Sequence, residues 1–399
     1  MWIALLAALF VCSLPAQKLP WNLAELSKAP RVFDAPTSEP GVRALFYESV
    51  PWHGKPTRVF AYYGAPARHD GKRLPAMVLI HGGGGTAFAE WVRMWNQRGY
   101  AAIAMDTCGN QPDTVSDGKP WTPPRHHHEY GGPEGWGGFA QIDEATGDQW
   151  SYHAVAAAIR AHSLIRGFPE VDPHRTGVTG ISWGGYLTDI VGSVDPRFRF
   201  AAPVYGCGFL GEDSAWLKEF ATMGKEREEK WLGLWDPSVY LPLSRHPMLW
   251  VTGTNDFAYP MPSLQKSYRL PKGPRTLAIR VRMPHNHPDG ARPEEIHAFA
   301  DAVLLPGSKR SALAQIVSAK TEGAVVTVAY RSPHPIVKAE LNYTPDLGKW
   351  QERKWEIVPA KLDASRHKAT AAVPEPAHAW YLNLFDDRGL VVSSEHESR

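Results

Sequence analysis

A serine between small residues is the first group in this sequence that could do chemistry. Ser182 lies in the run GISWGG at residues 180–185, after an apolar stretch at residues 176–181 and before a helical pattern. A serine held in a sharp strand-to-helix turn presents its hydroxyl at the edge of a sheet, and small neighbours keep the approach to Oγ open. The spacing therefore predicts a nucleophile, against the alternative that Ser182 only caps a helix.

Two later segments supply the acid and the base that a serine nucleophile needs. Asp256 follows an apolar stretch at residues 247–253, and its neighbour Asn255 carries no charge that could stabilise an imidazolium. His285 and His287 follow the last apolar stretch of the same kind. The order serine, acid, histidine is the one expected on an α/β sheet. We expect Asp256 to be the acid and either histidine to be the base. His287 is favoured because a longer loop brings the imidazole back over the sheet edge, and the other histidine then lines the site or binds backbone.

A glycine run could hold the negative charge that forms during acyl transfer. Residues 81–85 read HGGGG and directly follow an apolar stretch. Backbone N–H groups without side chains beside them can approach a substrate carbonyl closely. We expect the oxyanion donors to be the N–H groups of Gly83 and Trp183, with Gly82 as a further candidate. The alternative of a phosphate-binding loop is disfavoured, because no Gly-Lys-Ser/Thr sequence follows.

The elements that must position these residues alternate along the middle of the chain. Short apolar stretches alternate there with longer helical patterns, which predicts a mostly parallel α/β sheet with helices on both faces. Eight strands are predicted, at residues 42–50, 57–64, 75–81, 100–106, 176–182, 198–206, 247–253 and 277–283. Helices are predicted between them, at residues 87–98, 149–166, 184–194, 261–268 and 293–304.

The remaining segments define the domain organisation. Residues 107–148 and 209–243 break the alternation and are predicted to be insertions, and long loops in a compact domain usually serve function. Beyond the last helix only short alternating stretches remain, which predicts a small β-sandwich at residues 308–399. The catalytic domain is therefore expected at residues 42–307, after a lead-in segment at residues 17–41.

The N-terminus has the pattern of an export signal. Residues 1–16 contain an apolar run that is too short to span a bilayer, followed by a small residue where a peptidase could cut. No Lys or Arg precedes the run, and a frayed helix is the alternative. We expect cleavage, loss of Cys12 and a mature protein that is secreted or periplasmic.

Charge and cysteine content exclude two classes of protein. The 399 residues include 43 Lys and Arg against 41 Asp and Glu, and a net charge of +2 excludes a nucleic-acid binder built on bulk charge. Apart from Cys12, the only cysteines are Cys108 and Cys207, too few for a disulfide-built scaffold. Stability must therefore come from burial of apolar surface.

Tryptophan is unusually common, at 16 residues against 14 Tyr and 14 Phe. Seven indoles lie in or beside the loops expected at the carboxyl edge of the sheet, where open α/β sheets bind ligands. They are Trp121, Trp136, Trp150, Trp183, Trp216, Trp231 and Trp235. Stacking on sugar faces would explain this placement, and Trp121, Trp136 and Trp216 are the predicted substrate-binding residues. The alternative is that the rings only pack the insertions against the domain.

Residues 125–129, RHHHE, contain three consecutive histidines that invite comparison with a metal site. Contiguous side chains point in different directions from a loop, which favours a lid segment over a set of ligands. A serine triad needs no metal for its chemistry. We therefore expect neither a metal nor a cofactor.

Together, these motifs resemble the α/β-hydrolase superfamily, in its dienelactone-hydrolase, prolyl-oligopeptidase and acetyl-xylan-esterase branch. The resemblance is carried by HGGGG, by GISWGG, by GTNDFAYP at residues 253–260 and by the histidines after the last strand, and it covers residues 42–307. The β-rich tail is similar to that of some secreted bacterial hydrolases of the PhoPQ-activated type. The insertion at residues 107–148, and a serine where small dienelactone hydrolases use cysteine, argue against a dienelactone substrate.

The resemblance also bears on the cysteines. It implies that the central predicted strands run in the order four, three, five, six, which places Cys108 and Cys207 at the ends of strands three spacings apart. That separation is roughly 14 Å at about 4.8 Å per strand. A disulfide needs Cα atoms within about 7 Å. Two buried free thiols are therefore expected.

These observations predict a secreted serine ester hydrolase that removes short acyl groups, acetyl or similar, from carbohydrate through an acyl-enzyme. A serine peptidase of the prolyl-oligopeptidase type and a non-catalytic carbohydrate-binding protein are the alternatives. The expected partner is a small-molecule or carbohydrate ester, with no nucleic acid and no membrane span. The oligomeric state stays open.

Overall fold

The computed structural model describes residues 19–35, 39–66, 71–113, 119–305, 307 and 311–399. The predicted export signal at residues 1–16, with Cys12, lies outside these residues. Within the described ranges, no helix has an apolar stretch long enough to cross a lipid bilayer.

Strands and helices alternate through the first three quarters of the chain, and strands follow. The strands are β1 (Val32–Asp34), β2 (Arg43–Glu48), β3 (Arg58–Gly64), β4 (Leu74–Ile80), β5 (Ala101–Met105), β6 (Asn110–Pro112), β7 (Arg125–His127), β8 (Val171–Ile181), β9 (Phe200–Val204), β10 (Met248–Gly253), β11 (Arg275–Arg280), β12 (Gln315–Glu322), β13 (Val325–Arg331), β14 (Ile336–Thr344), β15 (Glu356–Pro359), β16 (Lys361–Asp363), β17 (Lys368–Ala372), β18 (Ala379–Asp386), β19 (Val391–Ser393) and β20 (Glu397–Ser398). The α-helices are α1 (Leu23–Leu26), α2 (Ala89–Gln97), α3 (Trp150–Ile165), α4 (Trp183–Val194), α5 (Leu217–Met223), α6 (Lys225–Trp235), α7 (Met261–Tyr268), α8 (His287–Ala291) and α9 (Glu294–Leu304).

A mixed sheet in the order β1-β2-β3-β5-β4-β8-β9-β10-β11 forms the centre of the molecule. The strands from β5 to β11 in this order pair in parallel, and β1, β2, β3 and β5 pair antiparallel. The four central strands have the order that the resemblance implied. The described sheet contains nine strands rather than the predicted eight, because β1 pairs with β2 at one edge. A three-residue edge strand is too short to give a readable alternation, so the sequence placed it in the lead-in segment.

Helices cover the central strands on both faces. Every residue of β4 and β5 is buried, as parallel strands between two helical layers require. Helix α2 contacts α9 through Trp95 and His297, whose ring centroids lie 4.8 Å apart, and α3 packs against α4. The carboxyl ends of β4, β8, β10 and β11 therefore meet at one edge of an otherwise enclosed sheet.

The C-terminal segment forms two antiparallel sheets, in the orders β12-β13-β17-β16 and β15-β14-β18-β19, with β20 paired to β18. The second sheet docks on β11 at the end of the central sheet. There the Asn383 Nδ2 donates to the carbonyl of Ile279 at 3.1 Å, and the Ile279 N–H donates to Ser393 Oγ at 2.8 Å. The C-terminal sheets are thus attached directly to the edge strand of the central sheet.

The two insertions have different structures. In residues 107–148 the described part contains the hairpin β6–β7 and two short 3₁₀ helices, and residues 209–243 contain α5 and α6. Cys108 and Cys207, which begin or precede these insertions, are both free and buried, as expected.

Candidate active site

Ser182 lies on a strained turn between β8, which ends at Ile181, and α4, which begins at Trp183. Its backbone has φ 60° and ψ −119°, in a region that non-glycine residues rarely adopt. Hydrogen bonds hold the turn on both sides. The Ser182 N–H donates to the Val204 carbonyl at 2.9 Å, and the Ser182 carbonyl accepts from the Tyr186 N–H at 2.9 Å. The predicted strand–turn–helix context is therefore present.

Two glycines of the GISWGG run allow this turn to form. A Cβ atom on Gly180 would overlap the carbonyl oxygen of Gly184, and one on Gly184 would overlap the carbonyl oxygen of Ile80. The Ile80 carbonyl belongs to β4 and the Gly184 carbonyl to α4, so neither can move aside without disturbing the sheet or the helix. The glycine spacing around the serine thus follows from the close crossing of β4, β8 and α4.

Asp256 and His285 form a hydrogen-bonded pair. The His285 Nδ1 lies 2.6 Å from Asp256 Oδ2, while Asp256 Oδ1 accepts from the N–H groups of Ala258 at 2.9 Å and Tyr259 at 2.7 Å. The Asp256 carboxylate is buried, whereas the His285 side chain is 12% exposed. Among the described residues nothing is hydrogen-bonded to His285 Nε2. This arrangement holds the ring by one nitrogen and leaves the other for proton transfer.

Two aromatic rings fix the orientation of His285. Tyr205 stacks on the imidazole with centroids 4.4 Å apart, and Phe257 packs against it at 4.7 Å. The Tyr205 hydroxyl donates to the Asn286 carbonyl at 2.7 Å, which anchors the histidine loop. Sequence reasoning missed both rings. Their only signal is position, since Tyr205 directly follows β9 and Phe257 directly follows Asp256.

His287 makes a different contact from the one expected of a base. Its Nε2 accepts from the Gly82 N–H at 3.0 Å, and its ring packs on Phe88 at 4.8 Å. Burial lowers the pKa of His287 to about 3, so the ring is neutral and remains an acceptor. Because His287 begins α8, no long loop follows the last strand, and it is His285 that reaches Asp256. The contact expected of a base, a bond to Asp256, is therefore made by His285 and not by His287, which the sequence had favoured.

The same contact changes the set of oxyanion donors. The Gly82 N–H already has His287 as its acceptor, so Gly82 is withdrawn as a candidate. The Gly83 N–H has no acceptor among the described residues. The Trp183 N–H is the first in α4 and has no intrahelical acceptor. A Cβ placed on Gly83 would lie 3.1 Å from Trp183 Cδ1, so these two candidate donors belong to one corner of the site.

The buried side chains of His81 and Asp106 hold the backbone beside the glycine run. The His81 Nε2 accepts from the Thr107 N–H at 3.0 Å, which leaves Nδ1–H to donate to the Gly82 carbonyl at 2.8 Å. Asp106 Oδ1 accepts from the N–H groups of Cys108 at 2.7 Å and Asn110 at 2.8 Å. Burial lowers the pKa of His81 to about 4 and raises that of Asp106 to about 6. His81 was noted only as the first residue of HGGGG, and Asp106 was missed, because both lie at strand ends like many structural residues.

The three candidate substrate-binding tryptophans are all half-buried, but their contacts differ. Trp136 lines an open pocket with a volume of about 510 Å³, and it lies 3.8 Å from the position of a Cβ on Gly83. Trp121 packs on Phe88 at 5.2 Å, and Trp216 packs on Trp183 at 4.4 Å. Trp136 is thus the indole with the clearest access to a ligand near the oxyanion corner.

The other four tryptophans of the group, Trp150, Trp183, Trp231 and Trp235, are buried. A buried indole cannot stack on a sugar. These four rings instead pack the insertions against the domain, which was the alternative to sugar binding. Trp231 shows how, since its Nε1–H donates to the Gly137 carbonyl at 2.7 Å and ties α6 to the first insertion.

The consecutive histidines diverge. The His126 Nδ1 lies 2.5 Å from Asp113 Oδ1, and the His127 Nε2 lies 2.8 Å from the Gly132 carbonyl. His128 is buried against Phe46, with a pKa lowered by burial to about 4. In the described ranges, no three His, Cys, Asp or Glu side chains converge as metal ligands would.

Comparisons with known proteins give two family matches and a set of similar folds. The acetyl xylan esterase (AXE1) family matches residues 23–212, and the prolyl oligopeptidase family matches residues 142–302. An acetyl xylan esterase from Paenibacillus sp. R4 superposes with a TM-score of 0.56 at 21% identity, over 71% of this chain and 92% of that one. Acetyl xylan esterase 1 from Thermoanaerobacterium sp. JW/SL YS485 gives a TM-score of 0.51 at 16% identity, over 67% of this chain and 90% of that one.

Proposed function

We propose that this chain is a serine ester hydrolase of the α/β-hydrolase superfamily, similar to acetyl xylan esterases and prolyl oligopeptidases, and that it removes short acyl groups from carbohydrate. The proposed catalytic residues are Ser182 as nucleophile, His285 as base and Asp256 as the acid that orients the base. The observation that carries this proposal is the 2.6 Å bond between His285 and a buried carboxylate, on the sheet edge that also presents Ser182.

In the acylation step, Ser182 Oγ attacks the ester carbonyl carbon while His285 Nε2 takes the hydroxyl proton. The carbonyl oxygen becomes an oxyanion and accepts hydrogen bonds from the N–H groups of Gly83 and Trp183. The Asp256 carboxylate stabilises the imidazolium. The tetrahedral intermediate then collapses, the bond to the alcohol oxygen breaks, and His285 returns its proton to that oxygen. The products are a free alcohol and an acyl ester of Ser182.

The deacylation step reverses these roles with water. His285 takes a proton from a water molecule, whose oxygen attacks the acyl carbon on Ser182. The oxyanion again accepts from Gly83 and Trp183, and its collapse breaks the bond to Ser182 Oγ, which receives the proton from His285. The free carboxylic acid leaves and the starting enzyme is restored.

Two features support a short acyl group on a carbohydrate alcohol. The AXE1 family match covers the segment from α1 through Ser182. Trp136 offers a flat aromatic surface beside the oxyanion corner, in a pocket much larger than an acetyl group. The export signal expected at residues 1–16 fits an extracellular polymer as substrate, and secretion is part of the proposal.

The decisive test is Ser182→Ala. We expect p-nitrophenyl acetate turnover to fall by about 10⁴-fold or more, because alanine has no hydroxyl with which to form the acyl-enzyme. A fluorophosphonate probe should label the wild-type protein and not the variant, with equal thermal unfolding of both. Unchanged activity in the variant would overturn the assignment. A panel of p-nitrophenyl esters of increasing acyl length, with acetylated xylan beside it, then tests the acyl group and the alcohol.

A serine peptidase is the second candidate, because the prolyl oligopeptidase family matches residues 142–302. An aminoacyl-proline dye substrate separates the two functions. Cleavage at a rate equal to that of the acetyl ester would favour the peptidase, whereas slow or absent cleavage favours the esterase. Labelling by the fluorophosphonate probe would also exclude a protein that only binds carbohydrate.

A further inference from the structure

The pocket beside Gly83 and Trp183 contains an arginine, Arg125, that forms no ion pair with any described residue. Arg125 lines this pocket together with Trp136, and its guanidinium carbon lies 5.9 Å from the centre of the indole. The residue is half-buried. Within the described part of the chain, no carboxylate lies within ion-pair distance of Arg125, and its side chain makes no hydrogen bond. This differs from the arginines elsewhere near the sheet edge, such as Arg280, which pairs with Glu295.

The backbone holds Arg125 on a regular element. In the hairpin β6–β7, Arg125 pairs with Pro112 and His127 pairs with Asn110. Trp136 in turn lies close to Gly83, a proposed oxyanion donor. The indole of Trp136 therefore lies between the Arg125 guanidinium and Gly83, where the reacting carbonyl of the substrate is proposed to bind.

The charge of Arg125 affects two histidines beside Gly82. Burial is the main cause that lowers the pKa of His81 to about 4, and repulsion from Arg125 adds to it. The same repulsion is a smaller contribution to the lowered pKa of His287, after burial. The guanidinium is thus close enough to be felt by groups that touch Gly82.

A planar guanidinium that is partly removed from water and lacks a partner matches a carboxylate, which can accept two parallel hydrogen bonds from it. We propose that Arg125 binds a carboxylate of the substrate, and that the preferred substrate is an acyl ester of a carbohydrate that also carries a carboxylate, such as a uronic acid unit. This inference rests on the proposed esterase function and names the class of alcohol. The pocket volume of about 510 Å³ lies in the range of sites that hold a ligand of sugar size.

One carboxylate already lines the pocket and must be considered as a possible partner of Arg125. Glu134 lies at its rim, is exposed and makes no ion pair with Arg125. Solvent screens its charge, so it reduces the attraction for an anionic ligand without neutralising the guanidinium. Asn110, the remaining polar residue of the pocket, donates from Nδ2 to the Cys108 carbonyl at 3.2 Å.

The experiment compares methyl glucuronoside with methyl glucoside as competitive inhibitors of p-nitrophenyl acetate hydrolysis. The two sugars differ only in a carboxylate against a hydroxymethyl group. We expect the glucuronoside to have the lower inhibition constant by about tenfold, with the advantage shrinking as salt increases. Arg125→Gln should abolish the advantage, and Arg125→Lys should keep only part of it, because an ammonium cannot form the two parallel bonds.

Two further variants complete the test. Glu134→Gln should increase the advantage of the glucuronoside severalfold by removing a repulsion. Arg366→Gln is the matched control, because Arg366 is an exposed arginine in the C-terminal sheets and should leave both inhibition constants unchanged. Equal inhibition by the two sugars in the wild-type protein, or an advantage that persists in Arg125→Gln, overturns the inference.

Binding is also measured by calorimetry on Ser182→Ala, which separates the two proposals. If that variant still hydrolyses the ester, the proposed function fails. If the variant is inactive yet binds both sugars equally, the function stands and the assignment of Arg125 fails. Preferential binding of the glucuronoside by the inactive variant supports both.

Discussion

The two sides of the candidate site each contain a histidine from the segment after β11, and the two histidines have opposite roles. On the acid–base side, His285 is paired with Asp256 and flanked by Tyr205 and Phe257. On the oxyanion side, His287 accepts from Gly82 and has no carboxylate among its described contacts. Two residues of one type, two positions apart, therefore acquire different chemistry from their partners.

The difference lies in where positive charge can be held. A proton on His285 would be stabilised by the adjacent carboxylate, whereas a proton on His287 would be buried without a counter-charge and would break the bond to Gly82. Burial accordingly keeps the pKa of His287 low, at about 3. His285 on the acid–base side can therefore gain and lose a proton during the reaction. His287 on the oxyanion side must stay neutral to keep its bond to the Gly82 N–H.

The two sides also depend on different parts of the chain. The oxyanion side consists of the segment after β4 and the first residues of α4 and α8. On the acid–base side, the Asn255 Nδ2 donates to the carbonyls of Arg353 at 2.7 Å and Gln351 at 3.1 Å, in the C-terminal segment. The C-terminal sheets therefore brace the loop that carries Asp256.

The largest effect is expected from Asp256→Asn, which removes the charge and keeps the shape. We expect kcat for p-nitrophenyl acetate to fall by about 10⁴-fold with little change in KM, because an amide favours the wrong tautomer of His285 and cannot stabilise the imidazolium. Steady-state kinetics measure this, with circular dichroism as the check on folding. A loss below tenfold would mean that Asp256 is not the acid.

An intermediate effect is expected from His287→Leu, which leaves the Gly82 N–H without an acceptor. We expect kcat to fall roughly tenfold to a hundredfold, since the neighbouring Gly83 donor loses its position. His287→Gln should recover most of the activity, because an amide oxygen can accept from Gly82.

The pH profile distinguishes this positioning role from proton transfer. The pKa of His287 is lowered to about 3, so the ring is protonated only in strong acid and stays uncharged from pH 5 to 9. The acid limb of the kcat profile should therefore be the same in wild type and His287→Gln. A shifted limb, or a Gln variant as inactive as His285→Gln, would make His287 the base after all.

The smallest effect is expected from Asn255→Ala, which removes the brace between the Asp256 loop and the C-terminal segment. We expect the free energy of unfolding to fall by about 1–2 kcal/mol and kcat to fall severalfold. Urea denaturation and the same ester assay measure both. Gln351→Ala is the matched control, because its side chain makes only a 3.5 Å contact with the Phe257 carbonyl. Equal effects of the two variants would show that the brace does not act through Asn255.

Much of the fold and part of the site were predictable from the sequence. The eight strands that were predicted, the glycines that let β8 cross α4, and the strand–turn–helix context of Ser182 all depend on neighbours within a few residues. Periodicity and steric fit act at that range, and the sequence records them directly. The edge strand β1 was missed because three residues carry too little pattern.

What the tertiary structure decided is which groups meet. The choice of His285 over His287, and the loss of the Gly82 N–H to His287, depend on bonds between residues far apart in the chain. Four of the seven tryptophans near the sheet edge are buried, and only packing separates them from Trp136. Local sequence patterns thus predicted where on the sheet a reactive edge would form. Burial and long-range hydrogen bonds decide which part of that edge can hold a charge, at His285, which part stays neutral, at His287, and which part is open to a ligand, at Trp136. Short stretches of sequence do not record these contacts.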